Sequence, residues 1–414
     1  MEERTPHPGL FAAPPLRELR PAGGVLEVFR VFLRLGLTSF GGPVAHLGYF
    51  RGEFVARRRW LDEAHYLDIV ALCQFLPGPA SSQTGITIGI LRAGLPGGLA
   101  AWIGFSAPSA VAMILFGYGV GRLGDIAQVP WLHGLKIVAV AVVAQALWGM
   151  ARTLCPDKER ATIAIAAAAL VLAAPSAAGQ IGAIVAGGLL GLWRLPATAV
   201  REAAPLAVRI GRPLAIISLI LFFVLLFALP PLAAASGSHL AELIGSFYRS
   251  GALVFGGGHV VLPLLQQAVV PPGWLGNDAF MAGYGAAQAV PGPLFTFAAY
   301  LGTVMRPEPN GWVGGLICVA AIYLPSFLLL IGVLPFWDAL RGRRGVRAAL
   351  TGINAAVVGL LLAALYRPVW TSAIFGPADF ALGIAAYLLL VMWRAPPWLV
   401  VILGAAGASI IARV

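Results

Sequence analysis

Two breaks rich in glycine and proline interrupt apolar sequence in the first fifth of the chain. The first break is Gly41-Gly42-Pro43 and the second is Pro77-Gly78-Pro79. Proline has no amide proton and clashes with the preceding turn, so each break leaves backbone amides and carbonyls without helical partners. Inside a membrane such groups are tolerated only when they are buried in protein or line a polar cavity. The breaks therefore predict a polar site within apolar surroundings.

The residues around these breaks could bind an anion. A new helix is predicted to start directly after the second break. The first amides of a helix lack intrahelical partners and carry positive partial charge. The alternative is that glycine and proline only kink and pack membrane helices. The substrate-binding residues predicted from this region are Ser39, Gly41, Gly42, His46, Gln74, Gly78, Ser81, Ser82, Gln83 and Thr84.

The same pattern returns about 215 residues later, and four separate matches have offsets of 214 to 217 residues. The matched pairs are Phe32-x-Arg34-x-Gly36-x3-Phe40-Gly41-Gly42 with Phe247-x-Arg249-x-Gly251-x3-Phe255-Gly256-Gly257, Trp60-Leu61 with Trp274-Leu275, Gln74-x2-Pro77-Gly78-Pro79 with Gln288-x2-Pro291-Gly292-Pro293, and Pro108-Ser109 with Pro325-Ser326. These matches indicate an internal duplication. The second copy adds the predicted binding residues Gly257, Gly258, His259, Gln288, Gly292 and Thr296. Fewer polar side chains follow its second break, so the two copies are not equivalent.

Charged residues near these segments could balance or drive the movement of an anion. Arginine suits tetrahedral oxyanions because its planar fork donates two parallel hydrogen bonds. Arg34 is therefore predicted to contact the substrate, unless it extends toward the membrane interface. Glu53 and Asp68 are the candidates for carrying a coupling proton, with ion pairing to nearby arginines as the alternative.

His46 and His259 each follow one of the matched glycine breaks. A histidine at this place could donate a hydrogen bond to an anion or relay a proton. A purely structural role for both side chains is the alternative.

Composition restricts the class of protein. Hydrophobic residues make up 59% of the 414 positions, charged residues 11%, and the mean hydropathy is +0.86. These values predict an all-α, polytopic membrane protein in contact with the lipid bilayer. The formal net charge is +11, but it comes almost entirely from arginines in short loops, which indicates membrane orientation rather than nucleic-acid binding. The three cysteines form no disulfide framework.

Enzyme and cofactor signatures are absent from the sequence. It contains no HExxH, no GxSxG and no Walker A lysine, and its histidines and cysteines lack metal-ligand spacing. We therefore predict no enzymatic activity, no cofactor and no metal. Uphill transport would then depend on an ion gradient or a partner protein.

Thirteen apolar runs divide into six, one and six. They fall at about 26–50, 66–91, 94–121, 132–153, 161–175, 179–193, 213–233, 243–265, 280–305, 311–336, 348–366, 378–393 and 397–412. An odd helix between two even-numbered repeats would invert the second, as in transporters whose site lies between discontinuous helices. The predicted units are a disordered cytoplasmic tail at 1–24, a first repeat at 25–193, a linker with one connecting helix at 194–238, and an inverted second repeat at 239–414.

Arginine counts discriminate between two topologies. The turn at 51–65 carries four arginines, whereas the equivalent turn at 266–279 carries no lysine or arginine. If the broken segments crossed fully, both turns would oppose the positive-inside tendency. Re-entrant hairpins remove both conflicts. We therefore favour hairpins with 51–65 and 338–347 in the cytoplasm, 266–279 in the periplasm and a cytoplasmic N-terminus.

Two stretches carry a family resemblance. The stretch that begins SFGGPVAHLGYF and ends LPGPASSQTGITIG resembles the first-repeat signature of the chromate ion transporter family. The stretch SGALVFGGGHVVLPLLQQAVV, followed by GYGAAQAVPGPLFTFAAYLG, is similar to the second-repeat signature of its long-chain, two-domain members. The resemblance covers roughly residues 26–155 and 240–365.

The resemblance implies a carrier in the bacterial inner membrane. Such a carrier would expel chromate from the cytoplasm, coupled to the proton-motive force, with sulfate as the chemically nearest competitor. It also implies homologous halves of opposite orientation. The alternatives are a passive anion channel, a carrier of sulfate or another oxyanion, and a membrane enzyme acting on a lipid substrate. The sequence leaves a homodimer open.

Overall fold

The computed structural model describes residues 24–122, 129–196, 206, 210–255, 258–340 and 343–413. Every regular element within these ranges is helical, as expected for the all-α class. The helices of the first half are α1 (Val25–Thr38), α2 (Gly42–Phe50), α3 (Glu63–Phe75), α4 (Ala80–Gly121), α5 (Pro130–Leu154), α6 (Lys158–Ala173) and α7 (Ala177–Arg194). A π-helical turn, Arg51–Arg57, continues α2. The predicted N-terminal tail and Gly257 lie outside the described residues.

A connecting helix and the second half follow. They comprise α8 (Arg212–Ser236), α9 (His239–Ala252), α10 (Val261–Val269), α11 (Asn277–Ala287), α12 (Phe297–Val304), α13 (Gly311–Val333), α14 (Trp337–Leu340), α15 (Arg344–Ala364), α16 (Pro377–Val391) and α17 (Pro397–Ile411). Single 3-10 turns at Gly258–Val260 and Leu294–Thr296 precede α10 and α12, and a third occupies Leu334–Phe336. A π-helical segment covers Leu365–Trp370.

The duplication in the sequence is repeated in the order of helices. Helices α1 and α9 both have 14 residues, and α2 and α10 both have nine. Helix α4 is interrupted by non-helical backbone at Ala93 and Gly94, so its two parts correspond to α12 and α13. Helices α5, α6 and α7 correspond in order to α15, α16 and α17. Helix α8 has no counterpart, and it stands between the two repeats.

Local chemistry accounts for where the first broken helices begin. Gly41 and Gly42 have φ of +100° and +74°, a left-handed conformation that strongly favours glycine. Pro43 lies in the first turn of α2, where its missing amide proton costs nothing. Asp62 caps α3 by accepting a hydrogen bond from the His65 amide at 2.8 Å.

The two repeats pack through exchanged contacts. Helix α5 of the first repeat packs on α16 and α17 of the second, and α15 of the second packs on α6 and α7 of the first. Small residues permit this close approach, as is common where membrane helices meet. A side chain at Gly352 would overlap the Gly187 carbonyl, and one at Gly359 would overlap the Ala164 carbonyl. Each repeat therefore completes the packing of the other.

Five helical segments within the described ranges are long and apolar enough to cross a membrane. They are Ala80–Gly121, Pro130–Leu154, Arg212–Ser236, Gly311–Leu340 and Arg344–Trp370. The most apolar window of the Arg212–Ser236 segment is only 17% buried, which fits a helix facing lipid. The helices of the two broken hairpins are shorter than the roughly 20 residues that a single span requires.

Candidate functional site

The four breaks meet through two reciprocal backbone hydrogen bonds between the repeats. The Gly78 amide donates to the Val254 carbonyl at 2.6 Å, and the Gly292 amide donates to the Ser39 carbonyl at 2.9 Å. Gly78 and Gly292 are equivalent residues of the two Pro-Gly-Pro breaks. Ser39 and Val254 are likewise equivalent, since each directly precedes a matched Phe-Gly-Gly sequence. The second break of each repeat is therefore held against the first break of the other.

Side chains of the opposite repeat also pack against Gly78 and Gly292. A Cβ on Gly78 would lie 2.6 Å from Ser326 Oγ, and a Cβ on Gly292 would lie 2.9 Å from Ser109 Oγ. Ser109 and Ser326 are the matched serines of the two Pro-Ser pairs. Glycine is required at both breaks because each backbone is packed against the proline-containing helix of the opposite repeat.

The two glycine-rich first breaks also approach each other. A Cβ on Gly42 would lie 3.9 Å from His259 Nε2, and a Cβ on Gly258 would lie 3.3 Å from Pro43 Cγ. Together with the reciprocal hydrogen bonds, these contacts bring all four breaks into one region between the repeats.

Helix α4 begins directly after the second break and places hydroxyls there, as the sequence predicted. Ser81 and Ser82 are 3% and 2% exposed. Ser81 Oγ lies 3.4 Å from His46 Nδ1, and Ser82 Oγ lies 3.4 Å from the Tyr323 hydroxyl of the second repeat. The start of α4 therefore contacts α2 and α13 at once.

Other predicted donors are already engaged locally. Gln83 Nε2 donates to the Pro77 carbonyl at 2.7 Å. The Thr84 hydroxyl donates to the Ala80 carbonyl and the Thr296 hydroxyl donates to the Pro293 carbonyl, both at 2.8 Å. The hydroxyl protons of Thr84 and Thr296 and one of the two amide protons of Gln83 are therefore used within the breaks. His259 Nδ1 lies 2.8 Å from the Tyr284 hydroxyl, which fixes its ring beside the break.

Several buried polar atoms of this region have no hydrogen-bond partner among the residues that the structure describes. They are Ser39 Oγ, His46 Nε2, Gln83 Oε1, Ser106 Oγ and Ser326 Oγ. Buried polar atoms are normally paired because leaving one unpaired costs about 1–3 kcal/mol. Contacts already described connect four of them to the breaks, and Ser106 accepts through its carbonyl from the Ser109 hydroxyl at 3.0 Å. The cluster therefore has buried polar atoms whose hydrogen-bonding capacity the described residues do not use.

Three of the described predicted binding residues do not join the buried cluster. Arg34 and Gln74 are exposed, and the described residues give the Arg34 side chain no hydrogen bond or ion pair. Gln288 is half-buried, and its amide donates to the Tyr284 carbonyl at 3.3 Å. Gly257 lies outside the described residues. An exposed Arg34 fits the alternative in which this side chain extends toward the membrane interface.

Glu53 is paired with the arginine cluster, the alternative that the sequence left open. Its carboxylate lies 2.6 Å from Arg58 Nε and 2.9 Å from Arg57 Nη1. Partial burial alone would raise the pKa of Glu53, but hydrogen bonds and positive charge from Arg58 and Arg57 outweigh it and lower that pKa below its ordinary value. Glu53 therefore stays ionised near neutral pH.

Asp68 connects the two repeats. It is 8% exposed on α3, and its Oδ1 accepts a hydrogen bond from Trp337 Nε1 of the second repeat at 3.2 Å. Asp68 is therefore the proton-coupling candidate that lies where the two repeats meet.

Sequence reasoning missed several residues of the site. Ser106, Tyr323, Ser326 and Tyr284 were absent from the predicted set. A signal for Ser109 and Ser326 existed, because the matched Pro-Ser pairs lie inside apolar runs where polar residues are costly. The tyrosines carried no comparable pattern. Within the described ranges, no group of three or more histidine, cysteine or acidic residues could hold a metal ion.

The chain matches the family model named Chromate transporter twice, over residues 26–192 and 241–409. It is 27% identical to the chromate transport protein of Cupriavidus metallidurans over 95% of this chain and 94% of that protein. It is 28% identical to the chromate transport protein of Pseudomonas aeruginosa, covering 92% and 91%. An uncharacterized transporter of Methanocaldococcus jannaschii is 26% identical, covering 84% and 86%. No solved structure matches the chain.

The two family matches coincide with the two sets of corresponding helices. The relatives are named as transport proteins, which agrees with the prediction that the chain is not an enzyme. Its apolar helices are those of a multi-pass membrane protein. The chain therefore belongs to the chromate transporter family.

Proposed function

We propose that this protein is a secondary carrier that exports chromate, a tetrahedral dianion, from the bacterial cytoplasm across the inner membrane. The observation that carries the proposal is the reciprocal meeting of the four breaks beside buried, unpaired polar atoms. The names of the relatives supply the substrate. Sulfate has the same shape and charge, so we expect it to compete.

The binding site consists of neutral donors. A dianion that leaves water loses hydration worth far more than one hydrogen bond, so several donors must converge on it. The hydroxyls of Ser39 and Ser326 are side-chain donors, with the first amides of α4 beside them. Either the Ser81 hydroxyl or His46 Nε2 is a further donor, because the contact between Ser81 Oγ and His46 Nδ1 uses a proton of one of the two side chains. In this proposal Arg34 does not touch the anion.

The broken segments are re-entrant hairpins in this proposal, and the second repeat is inverted. Three observations support it: the hairpin helices are short, one unpaired helix (α8) stands between the repeats, and arginines concentrate in the turn at 51–65. The N-terminus and that turn then face the cytoplasm, and the turn at 266–279 faces the periplasm.

Asp68 carries the coupling proton. It sits on α3, the helix that leads to the second break, and contacts the opposite repeat through Trp337. Protonation would weaken that contact and would reduce repulsion of an incoming dianion. Glu53 is excluded from this role because its arginine partners keep it ionised.

Chromate uptake into everted membrane vesicles, with and without an imposed pH gradient, tests the function. We expect uptake that depends on the gradient, is inhibited by sulfate and falls with Ser81→Ala. Counterflow of labelled chromate in proteoliposomes separates a carrier from a channel, because a channel gives no exchange-stimulated flux. Absence of both uptake and counterflow in a folded, inserted protein would refute the proposal.

A further inference from the structure

One ion pair and one histidine–carboxylate contact connect the repeats at the start of α5. Lys136 Nζ lies 2.8 Å from Asp278 Oδ1 of α11, and His133 Nε2 lies 2.9 Å from Asp379 Oδ1 of α16. His133 and Lys136 are three residues apart and so share one face of α5. Phe375 lies between them, with its ring stacked on His133 at 5.4 Å and 5.9 Å from Lys136 Nζ.

The Lys136–Asp278 pair is unevenly buried. The Lys136 side chain is 4% exposed, whereas the Asp278 side chain is 44% exposed. A buried ammonium that loses its partner is strongly disfavoured, because its charge remains in a poorly solvated place. The carboxylate can separate into solvent, but the lysine cannot follow it. The pair therefore favours one arrangement of α11 against α5.

Helix α11 links this pair to the binding region. It begins one residue before Asp278 and ends just before the Pro-Gly-Pro break, where Gly292 donates to the Ser39 carbonyl. Near its C-terminal end, Gly285 packs against the Leu135 carbonyl so closely that no side chain would fit. A movement of α11 away from α5 must therefore break the ion pair and displace the Gly292 break.

The first repeat has a related tie. Helix α3 corresponds to α11, and its Asp68 accepts a hydrogen bond from Trp337 of the second repeat. Each hairpin is thus joined to the opposite repeat through a carboxylate on its third helix.

We propose that the Lys136–Asp278 ion pair is a lock that keeps the binding region closed at the end where residues 270–276 lie, and that it opens once in each transport cycle. This inference rests on the proposed carrier function, since a channel needs no alternating lock. Lys136 and Asp278 are positioning residues: they act on the anion only through α11.

The test measures access to the binding region without any substrate. The reporter is Ser326→Cys in a chain whose three native cysteines are replaced by alanine. A membrane-impermeant maleimide is added to either side of oriented vesicles, and a separate variant, Pro272→Cys at an exposed position, identifies the side of residues 270–276. Asp278→Asn should raise the labelling rate of the reporter about tenfold when the maleimide is added on the side of residues 270–276. On the opposite side of the membrane, the labelling rate should fall or stay unchanged.

Two further variants separate the lock from a general loss of stability. Lys136→Asp combined with Asp278→Lys restores opposite charges, and we expect labelling to return to within a few-fold of the starting rate. Asp157→Asn is the matched control, because it neutralises an ion pair to Arg160 of 2.6 Å that lies within one repeat. Asparagine also retains the helix cap at that position, so this control should leave labelling unchanged.

Unchanged labelling in Asp278→Asn, or an equal increase from both sides, would overturn the lock. If Asp278→Asn fails to insert, the charge-swapped chain is compared with Lys136→Arg, because both variants keep opposite charges at the two positions. Different labelling rates in these two variants would also overturn the lock. Faster labelling in Asp278→Asn, in a protein that transports no chromate, would support the lock and refute chromate as the substrate. Normal chromate flux together with unchanged labelling would refute the lock and support the substrate.

Discussion

Replacing Gly78 by alanine tests whether the close approach of the repeats is needed for transport. Gly78 has φ of +127°, and its amide donates to the Val254 carbonyl. A Cβ there would lie 2.6 Å from Ser326 Oγ and would overlap the Gln83 amide. The backbone conformation costs alanine about 1–3 kcal/mol. Displacing Gln83 from the Pro77 carbonyl removes a bond worth about 0.5–1.5 kcal/mol net. We therefore expect the free energy of unfolding to fall by about 1.5–4.5 kcal/mol.

The assay compares Gly78→Ala with Gly237→Ala. Gly237 also has positive φ, +61°, but a Cβ there would meet no atom within 4 Å, so this control carries backbone strain of about 1–2 kcal/mol without the contact. Thermal unfolding in detergent and chromate uptake into everted vesicles are measured for both. Gly78→Ala should reduce uptake at least tenfold, Gly78→Val should abolish it, and Gly237→Ala should transport normally. Wild-type uptake by Gly78→Ala would place the substrate elsewhere.

Three further outcomes are expected. Ser39→Ala should weaken chromate and sulfate binding together by tenfold to hundredfold, the effect of losing about 1–3 kcal/mol, when binding is titrated on purified protein. Separate effects on the two anions would contradict a shared site. Asp68→Asn should shift the pH dependence of chromate flux, whereas Glu53→Gln should not. The pKa of Glu53 is lowered, so its ion pairs are lost only on acidification below its ordinary value of 4.5. An altered pH profile in Glu53→Gln would restore Glu53 as a proton-coupling candidate. Cysteines at Arg57 and Pro272 should label from opposite sides of the membrane, and labelling of position 57 from the periplasm would contradict the hairpins.

The positions of the breaks could be predicted from the sequence because their causes are local. Gly41 and Gly42 permit a left-handed backbone, and Pro77 and Pro79 cannot continue a helix. The structure accordingly ends α1 before Gly41 and starts α4 at Ala80. The duplication was equally visible, because residues with restricted conformations recur at nearly constant offsets.

The partners across the site could not be predicted, because they depend on packing between distant segments. Nothing in the local pattern shows that the Gly78 amide would meet Val254, about 175 residues away. Which side chains of a helix face the protein interior also depends on this packing. The sequence places Arg34 in an apolar run, but only packing decides that Phe32 and Leu35 turn inward while Arg34 remains exposed.

The departures from two-fold symmetry bear most directly on mechanism. A perfect inverted duplication would give the inward-open and outward-open states equal energies, so no arrangement would be preferred. Here the backbone bonds at Gly78 and Gly292 are equivalent, but the side chains are not. Ser39, whose hydroxyl has no hydrogen-bond partner among the described residues, corresponds to Val254, which has no polar side chain. In the proposed site the side-chain donors therefore come mainly from the first repeat, so that site is asymmetric before any substrate binds.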